Sequence, residues 1–196
     1  YYDYKDLQVS FVNANSIVQT INAATARNYG GELELEGRVT RNFRINLSAS
    51  YLNAQFTKFC NAYYGAGFPA RPGISYATCP TDPGLVDLSG KRLPNAPRFT
   101  FGGGFNWDIP LGNDSRLAVN GDIKWQSKVY FTEFNNRDAE QGAYAMANAG
   151  LTWHSPNDRY SIGAWVKNLT NKFVISNNII TAATFAYVRV GSVMPP

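Results

Sequence analysis

Few residues in this chain have reactive chemistry to offer: Cys60, Cys79, the single histidine His154, and the alternate carboxylates Glu32, Glu34 and Glu36. The cysteines bound the stretch "CNAYYGAGFPARPGISYATC", rich in Gly, Pro and aromatic rings. It reads as a loop closed by a Cys60–Cys79 disulfide in an oxidising compartment, with free thiols as the alternative. No metal site is expected, because His154 lies far from both thiols and no tight Cys-x-x-Cys spacing occurs. His154 follows Trp153 beside a predicted turn, and no Ser or Cys sits in a recognisable nucleophile elbow, so a surface or interfacial role is expected rather than catalysis. Three glutamates at spacing two belong to one face of a strand. They lack the Asp/Asn/Gly loop pattern that holds calcium, so they read as the lining of a wet interior. "FGGGF" at 101–105 has no following Lys-Ser/Thr and sits mid-strand, where small residues make room for neighbours. The reading is therefore of a non-enzyme that needs no cofactor.

Those residues ride on elements with a period of two. In "RLAVNGDIKWQSKVY" (116–130), Leu117, Val119, Ile123 and Trp125 alternate with Asn120, Asp122, Lys124 and Gln126. Similar alternation predicts strands over 1–10, 28–39, 43–59, 97–109, 142–154 and 159–172, with no stretch of helical period. A soluble sheet would hide the apolar face under a second layer. A transmembrane barrel would turn that face to lipid and keep the charges in a wet lumen, with Glu32, Glu34, Glu36, Asp122 and Lys124 lining it.

Composition narrows the choice. Charged residues make up 16% and aromatics 14% of the 196 residues, which excludes disorder. The net charge of +4 is spread singly along the chain, without the stripe that neutralises phosphates, so no nucleic-acid partner is expected. No run of about 18 apolar residues is present, and the first residues do not form a signal peptide. Strands of a barrel remain compatible with a mean hydropathy of −0.28.

The connections alternate. Those at 40–42, 110–115 and 155–158 are tight and polar, whereas those near 11–27, 60–96, 131–141 and 173–190 are long. In an up-and-down meander all short turns then fall at one end, the asymmetry of outer-membrane barrels. Phe43, Trp107, Trp153 and Tyr160 sit beside the short turns; Tyr51, Phe99, Trp125, Tyr130 and Tyr144 sit toward the long loops. Two bands of rings resemble interfacial girdles. The expected outward set comprises Leu33, Leu35 and Val39; Phe43, Ile45, Leu47, Ala49 and Tyr51; Phe99, Phe101, Phe105 and Trp107; and Tyr160, Ile162, Ala164 and Val166.

Several stretches resemble the C-terminal portion of the β-barrel of a TonB-dependent outer-membrane receptor: "YYDYKDLQV", "NYGGELELEGRV", "INLSASYLNAQFTKF", "DLSGKRLPNAPRFTF" and above all "SIGAWVKNLTNKFV". The last is similar to the family's penultimate strand, and "VGSVMPP" stops just before the final one. The resemblance implies an all-β, antiparallel up-and-down transmembrane segment, residues 1–196, of a barrel of about 22 strands. It further implies a plug and a TonB box, neither visible here, and residence in the outer membrane of a Gram-negative bacterium. Partners would be outer-membrane lipid, the remaining strands and plug, TonB and, in some branches, a surface lipoprotein. The implied function is uptake of a scarce solute, such as a metal chelate, vitamin or carbohydrate. Solute contact is expected from Tyr63, Tyr64, Phe68, Arg71 and Tyr76 in the cysteine-bounded loop and from Phe131, Phe134, Asn135 and Arg137 in the next. A passive porin or barrel anchor, and a soluble β-sandwich binding module, are the rival readings.

Overall fold

A computed structural model describes residues 1–12, 18–59, 62–63, 85–180 and 189–193. Its strands are β1 (Tyr2–Val12), β2 (Val18–Thr40), β3 (Phe43–Lys58), β4 (Ala62–Tyr63), β5 (Leu85–Val86), β6 (Phe99–Pro110), β7 (Arg116–Gln126), β8 (Val129–Tyr130), β9 (Glu140–Gln141), β10 (Tyr144–His154), β11 (Ser161–Val166), β12 (Ile175–Ile180) and β13 (Arg189–Val193). Seven of them form one open sheet in the order β1-β2-β3-β6-β7-β10-β11. Every neighbouring pair in it is antiparallel.

The short turns follow from their residues. Asn113 and Asp114, between β6 and β7, both take left-handed φ values, 64° and 58°. Asn and Asp tolerate that region better than other non-glycine residues. Asn157 and Asp158 repeat the device between β10 and β11 at 60° and 54°. Ser155 holds that second turn, accepting the Tyr160 N–H on Oγ at 2.9 Å.

Register fixes the faces. Leu35 lies opposite Leu47, Ala49 opposite Phe101, and Phe101 opposite Trp125. Ile123 lies opposite Ala147, and Leu151 opposite Ala164. One face is thus apolar across the sheet, and among the described residues no second layer covers it: Leu33 is 57% and Ile123 50% exposed. A sandwich would bury these side chains, so the layered soluble reading does not describe this sheet.

The expected strand limits need correction at four places, one of them the connection read as a loop near 173–190, which holds β12 (Ile175–Ile180) and the start of β13, paired with each other. The connection read as a loop over 11–27 is largely strand, since β1 extends to Val12 and β2 starts at Val18. The segment expected over 159–172 ends as β11 at Val166, where Asn168 and Asn171 turn the chain with φ of 52° and 48°. The strand expected over 116–130 ends at Gln126, with Val129–Tyr130 a separate short piece.

The buried cluster lies at the long-loop end. Ala24, Ala26, Phe56, Phe59 and Leu88 pack together, with Leu7, Leu93 and Phe134 against them. Ala26 pairs with Phe56, and two-residue steps along the same strands lead to Glu32 opposite Ser50. This cluster therefore stands on the polar face. The alternation of β3 changes phase at Tyr51: Phe43 to Tyr51 are apolar at odd positions, whereas Leu52, Ala54 and Phe56 are apolar at even ones, with Asn53, Gln55 and Thr57 opposite. Below the change the outward side is apolar; above it, loops cover the inward side and the outward side is polar.

Candidate functional site

The inner wall is built from alternate residues of the sheet. Glu32, Glu34 and Glu36 face Ser50, Ser48 and Asn46 across the β2–β3 ladder. Asp122 accepts a hydrogen bond from Asn148 Nδ2 at 2.8 Å. Lys124 lies between Gly102 and Met146. The sheet thus brings the expected lining residues to one face, spread over β2 and β7. Short polar side chains cover the glycines here: a Cβ on Gly104 would stand 2.7 Å from Asn46 Oδ1, and one on Gly150 would stand 2.5 Å from Asn120 Oδ1. The wall is low and rich in hydrogen-bonding groups, and from it Trp165, opposite Gly150, projects 73% exposed.

Near the short turns the inner face carries a cavity of about 350 Å³, where Glu36, Arg38, Arg44, Asn46 and Asn106 meet. Beside it Arg116 ties adjacent strand ends together. Its Nη1 is 3.0 Å from Asp158 Oδ2 and its Nε 3.9 Å from Asp108 Oδ1. His154 joins them, with Nδ1 3.2 Å from Asp158 Oδ1 and 3.2 Å from Arg116 Nη2. These groups are solvated, so each pair contributes little and the network serves mainly to orient the turn. The single histidine is thus a rim residue on the inner face.

At the other end the loops lock to one another. Asn135 takes a left-handed φ of 54° and aims its amide at the backbone of Arg92. Arg92 donates Nη2 to Ala96 O at 2.7 Å and Nη1 to Lys128 O at 3.4 Å. Its guanidinium is pulled below the ordinary arginine value first by burial and then by the charge of Arg98. Lys128 stands 5.0 Å above the Tyr130 ring and 3.2 Å from Glu140 Oε2. Hydrogen bonding to Tyr130, ahead of burial, which acts the other way, and of the bond to Glu140, raises its pKa. Burial pushes the Glu133 carboxyl above the usual glutamate value. A further strand docks here: Asn178 Nδ2 donates to Asp138 O at 2.8 Å and Gln141 Oε1 accepts Ile175 N–H at 2.8 Å.

Of the expected contact residues, Phe134 packs on the buried cluster and Asn135 holds Arg92. Phe131 is half-buried, its N–H donating to Ala139 O at 2.8 Å, and Arg137 is exposed. Tyr63 lies in the short β4–β5 ladder opposite Leu85. Tyr64, Phe68, Arg71, Tyr76 and both cysteines of the expected disulfide, Cys60 and Cys79, lie outside the described residues. Among the described residues no group of three or more His, Cys, Asp or Glu side chains is placed to hold a metal ion.

The outer face carries the ring bands. Toward the loops Tyr29 and Tyr51 stand 6.5 Å apart, Tyr51 and Phe99 5.1 Å, and Phe101 and Trp125 5.4 Å. Toward the turns Phe43 contacts Phe105 at 6.2 Å and Trp107 at 6.1 Å. Two expected members leave the loop-side band. Tyr144 pairs with Gln126 and so faces inward, and it is buried. Tyr130 sits in β8 under Lys128 and Arg92, because β7 has already ended. Phe43 and Tyr51 are eight residues apart on β3, about 26 Å at ~3.3 Å per residue. With a tilt of roughly 40° that is ~20 Å of height, close to the apolar band of an outer-membrane barrel.

A family model described as "TonB dependent receptor-like, beta-barrel" matches residues 1–169. No curated protein matches the chain. Among solved structures it is similar to the ferric yersiniabactin uptake receptor FyuA from Yersinia pestis, with a TM-score of 0.69, 19% identity, and coverage of 98% of this chain and 24% of that one. It is also similar to two Acinetobacter baumannii proteins. BauA, the ferric preacinetobactin receptor, gives a TM-score of 0.56 at 19% identity, covering 86% of this chain and 22% of that one. The siderophore receptor PiuA gives 0.57 at 19%, covering 87% and 21%. At these identities the likeness is one of fold, and the chain spans less than a quarter of the length of each.

Proposed function

The chain belongs to the TonB-dependent receptor-like β-barrel family, and from that premise we propose that residues 1–196 are the C-terminal part of the barrel of an outer-membrane receptor. The whole protein would bind a scarce solute outside a Gram-negative cell and import it with energy relayed through TonB. The observation that carries this reading is the pairing of an uncovered apolar face, bounded by two bands of rings, with a polar face of short side chains and charges. An open sheet with this polarity calls for lipid on one side and further strands to close it. The remaining strands, a plug and TonB are accordingly its proposed partners, with a surface lipoprotein in some branches of the family.

For the solute, a metal chelate is favoured over a vitamin or carbohydrate, since the three similar structures are all receptors for siderophores or their iron complexes. Within the described loops, Phe131 and the exposed Arg137 are the proposed contacts, joined by Tyr63, Tyr64, Phe68, Arg71 and Tyr76 of the loop that a Cys60–Cys79 disulfide would close. Phe134 and Asn135 would act by holding the loops in place. Glu32, Glu34, Glu36, Asp122 and Lys124 would meet whatever fills the lumen.

The test is uptake of radiolabelled ferric siderophores by cells expressing the full receptor, with and without functional TonB. Uptake that requires TonB supports the receptor. Uptake that persists without it identifies a passive porin.

A further inference from the structure

We propose that Arg38 and Arg44, side by side on the inner face next to the short turns, hold one oxyanion, a phosphate or a carboxylate, between their guanidinium groups. The site goes beyond the receptor reading, which supplies only its place at the turn-side rim of a lumen. The register sets Arg38 of β2 directly opposite Arg44 of β3. Like charges in that relationship repel and cost stability unless something of opposite sign comes between them. The turn that they flank supplies no such charge: residues 37–46, "GRVTRNFRIN", hold three arginines and no carboxylate. Among the described residues neither Arg38 nor Arg44 forms an ion pair.

The carboxylates farther along the wall are engaged or set to one side. Asp108 and Asp158 are held by Arg116, at 3.9 and 3.0 Å. Asp122 accepts from Asn148 at 2.8 Å. Among the described residues Glu36 is the one carboxylate lining the cavity, and it stands opposite Asn46 rather than opposite either arginine. Two positive charges against one negative leave the cavity a net cation.

The second observation is the room in front of the pair. The cavity of about 350 Å³ has both arginines in its wall, together with Asn46 and Asn106. Asn46 leans toward β6, where a Cβ on Gly104 would stand 2.7 Å from its Oδ1. Pairing runs from Arg38 to Arg44, to Asn106 and to Asn120, so that every side chain of this row offers N–H donors. Guanidinium forks meet the oxygens of a phosphate or carboxylate two at a time, which suits arginine at both positions better than lysine. Charge pair, cavity and donor row thus select one ligand class.

The full receptor, purified from outer membranes in detergent, is followed by its Tm in low-millimolar sodium phosphate and in sodium chloride of equal ionic strength. If a free oxyanion fills the site, phosphate should raise Tm by a few degrees over chloride, and Arg38→Gln or Arg44→Gln should abolish that increment. Arg44→Lys should lose most of it although the charge is kept. Glu36→Gln should enlarge it, and Lys124→Gln, elsewhere on the same face, should leave it intact. If the oxyanion is instead a carboxylate of the polypeptide that fills the lumen, phosphate should do nothing and both Gln variants should lower Tm in either salt. Gln variants as stable as the wild type or more so, with no phosphate increment, are what relief of uncompensated repulsion predicts and overturn the proposal. An increment that survives in both Gln variants overturns it too. A receptor absent from the membrane fraction would refute the barrel reading and not the site.

Discussion

The side-chain amide of Asn135 substitutes for a strand beside Arg92: its Oδ1 accepts the Arg92 N–H at 2.8 Å and its Nδ2 donates to the Arg92 carbonyl at 2.9 Å. The two residues are 43 positions apart, so one side chain joins two loops. Asn135→Gly keeps the left-handed backbone accessible and removes both bonds. The expected result is a local loss of roughly 1–3 kcal/mol. Hydrogen exchange should accelerate at 88–96 and 128–136 together; acceleration in one segment alone would show that the loops are not joined through this residue.

Glu133 gives the same loops a pH dependence. Burial raises its folded pKa above the unfolded value, about 4.3 for a free glutamate. A group raised on folding contributes stability that is fully present below the unfolded value and is lost as pH rises through the folded one. The 131–136 segment should therefore be cleaved more slowly by protease at pH 4 than at pH 8. Glu133→Gln should flatten that profile.

Neighbouring residues of β7 separate the two faces. Ile123→Arg should cost about 2–4 kcal/mol and impair assembly, because the side chain enters lipid. Asp122→Asn retains an acceptor for Asn148 and should be nearly silent. Folding titrations of the full receptor into lipid vesicles compare the two. Equal sensitivity would contradict the assignment of faces.

Gly30 controls the register of β2 on β3. A Cβ there would collide with the Tyr51 carbonyl oxygen and stand 3.0 Å from its carbon, both backbone atoms that cannot rotate away. Gly30→Ala should cost at least ~1–3 kcal/mol. Gly31→Ala, with open space at its Cβ, should be tolerated. The loss of heat-modifiable mobility on gels, present in one variant and absent in the other, is the measurement.

The strands between Tyr29 and Val39 and between Phe43 and Tyr51 are legible in the sequence because one face meets a uniform apolar medium and the other meets water. Nothing interrupts the period of two there. The first ten residues of β2 read as a loop because no single phase holds there: Ile21 and Ala23 share the odd positions of Leu33 and Leu35, whereas Ala24 and Ala26 take the even ones. The phase change in "SASYLNAQF" was available as a signal: Tyr51 and Leu52 are adjacent apolar residues where alternation demands one. The Asn135–Arg92 contact was not available, since two polar loop residues far apart carry no pattern. Tyr144 and Tyr130 depart from the expected band for a related reason: proximity to a loop places a ring at the right height without fixing its side.

The phase change at Tyr51 also gives the wall a single resting depth. If the sheet sank by two residues, Asn53 and its opposite-strand neighbour Tyr29 would enter hydrocarbon, and Gln55 and Arg27 would follow. If it rose by the same amount, Tyr51 would leave the ring-band level and Leu33 and Ala49 would take its place at the edge of the water. Both displacements act on every strand of the ladder at once. The sheet carries its own waterline, and in the proposed membrane setting a bilayer would supply the restoring force that holds it there.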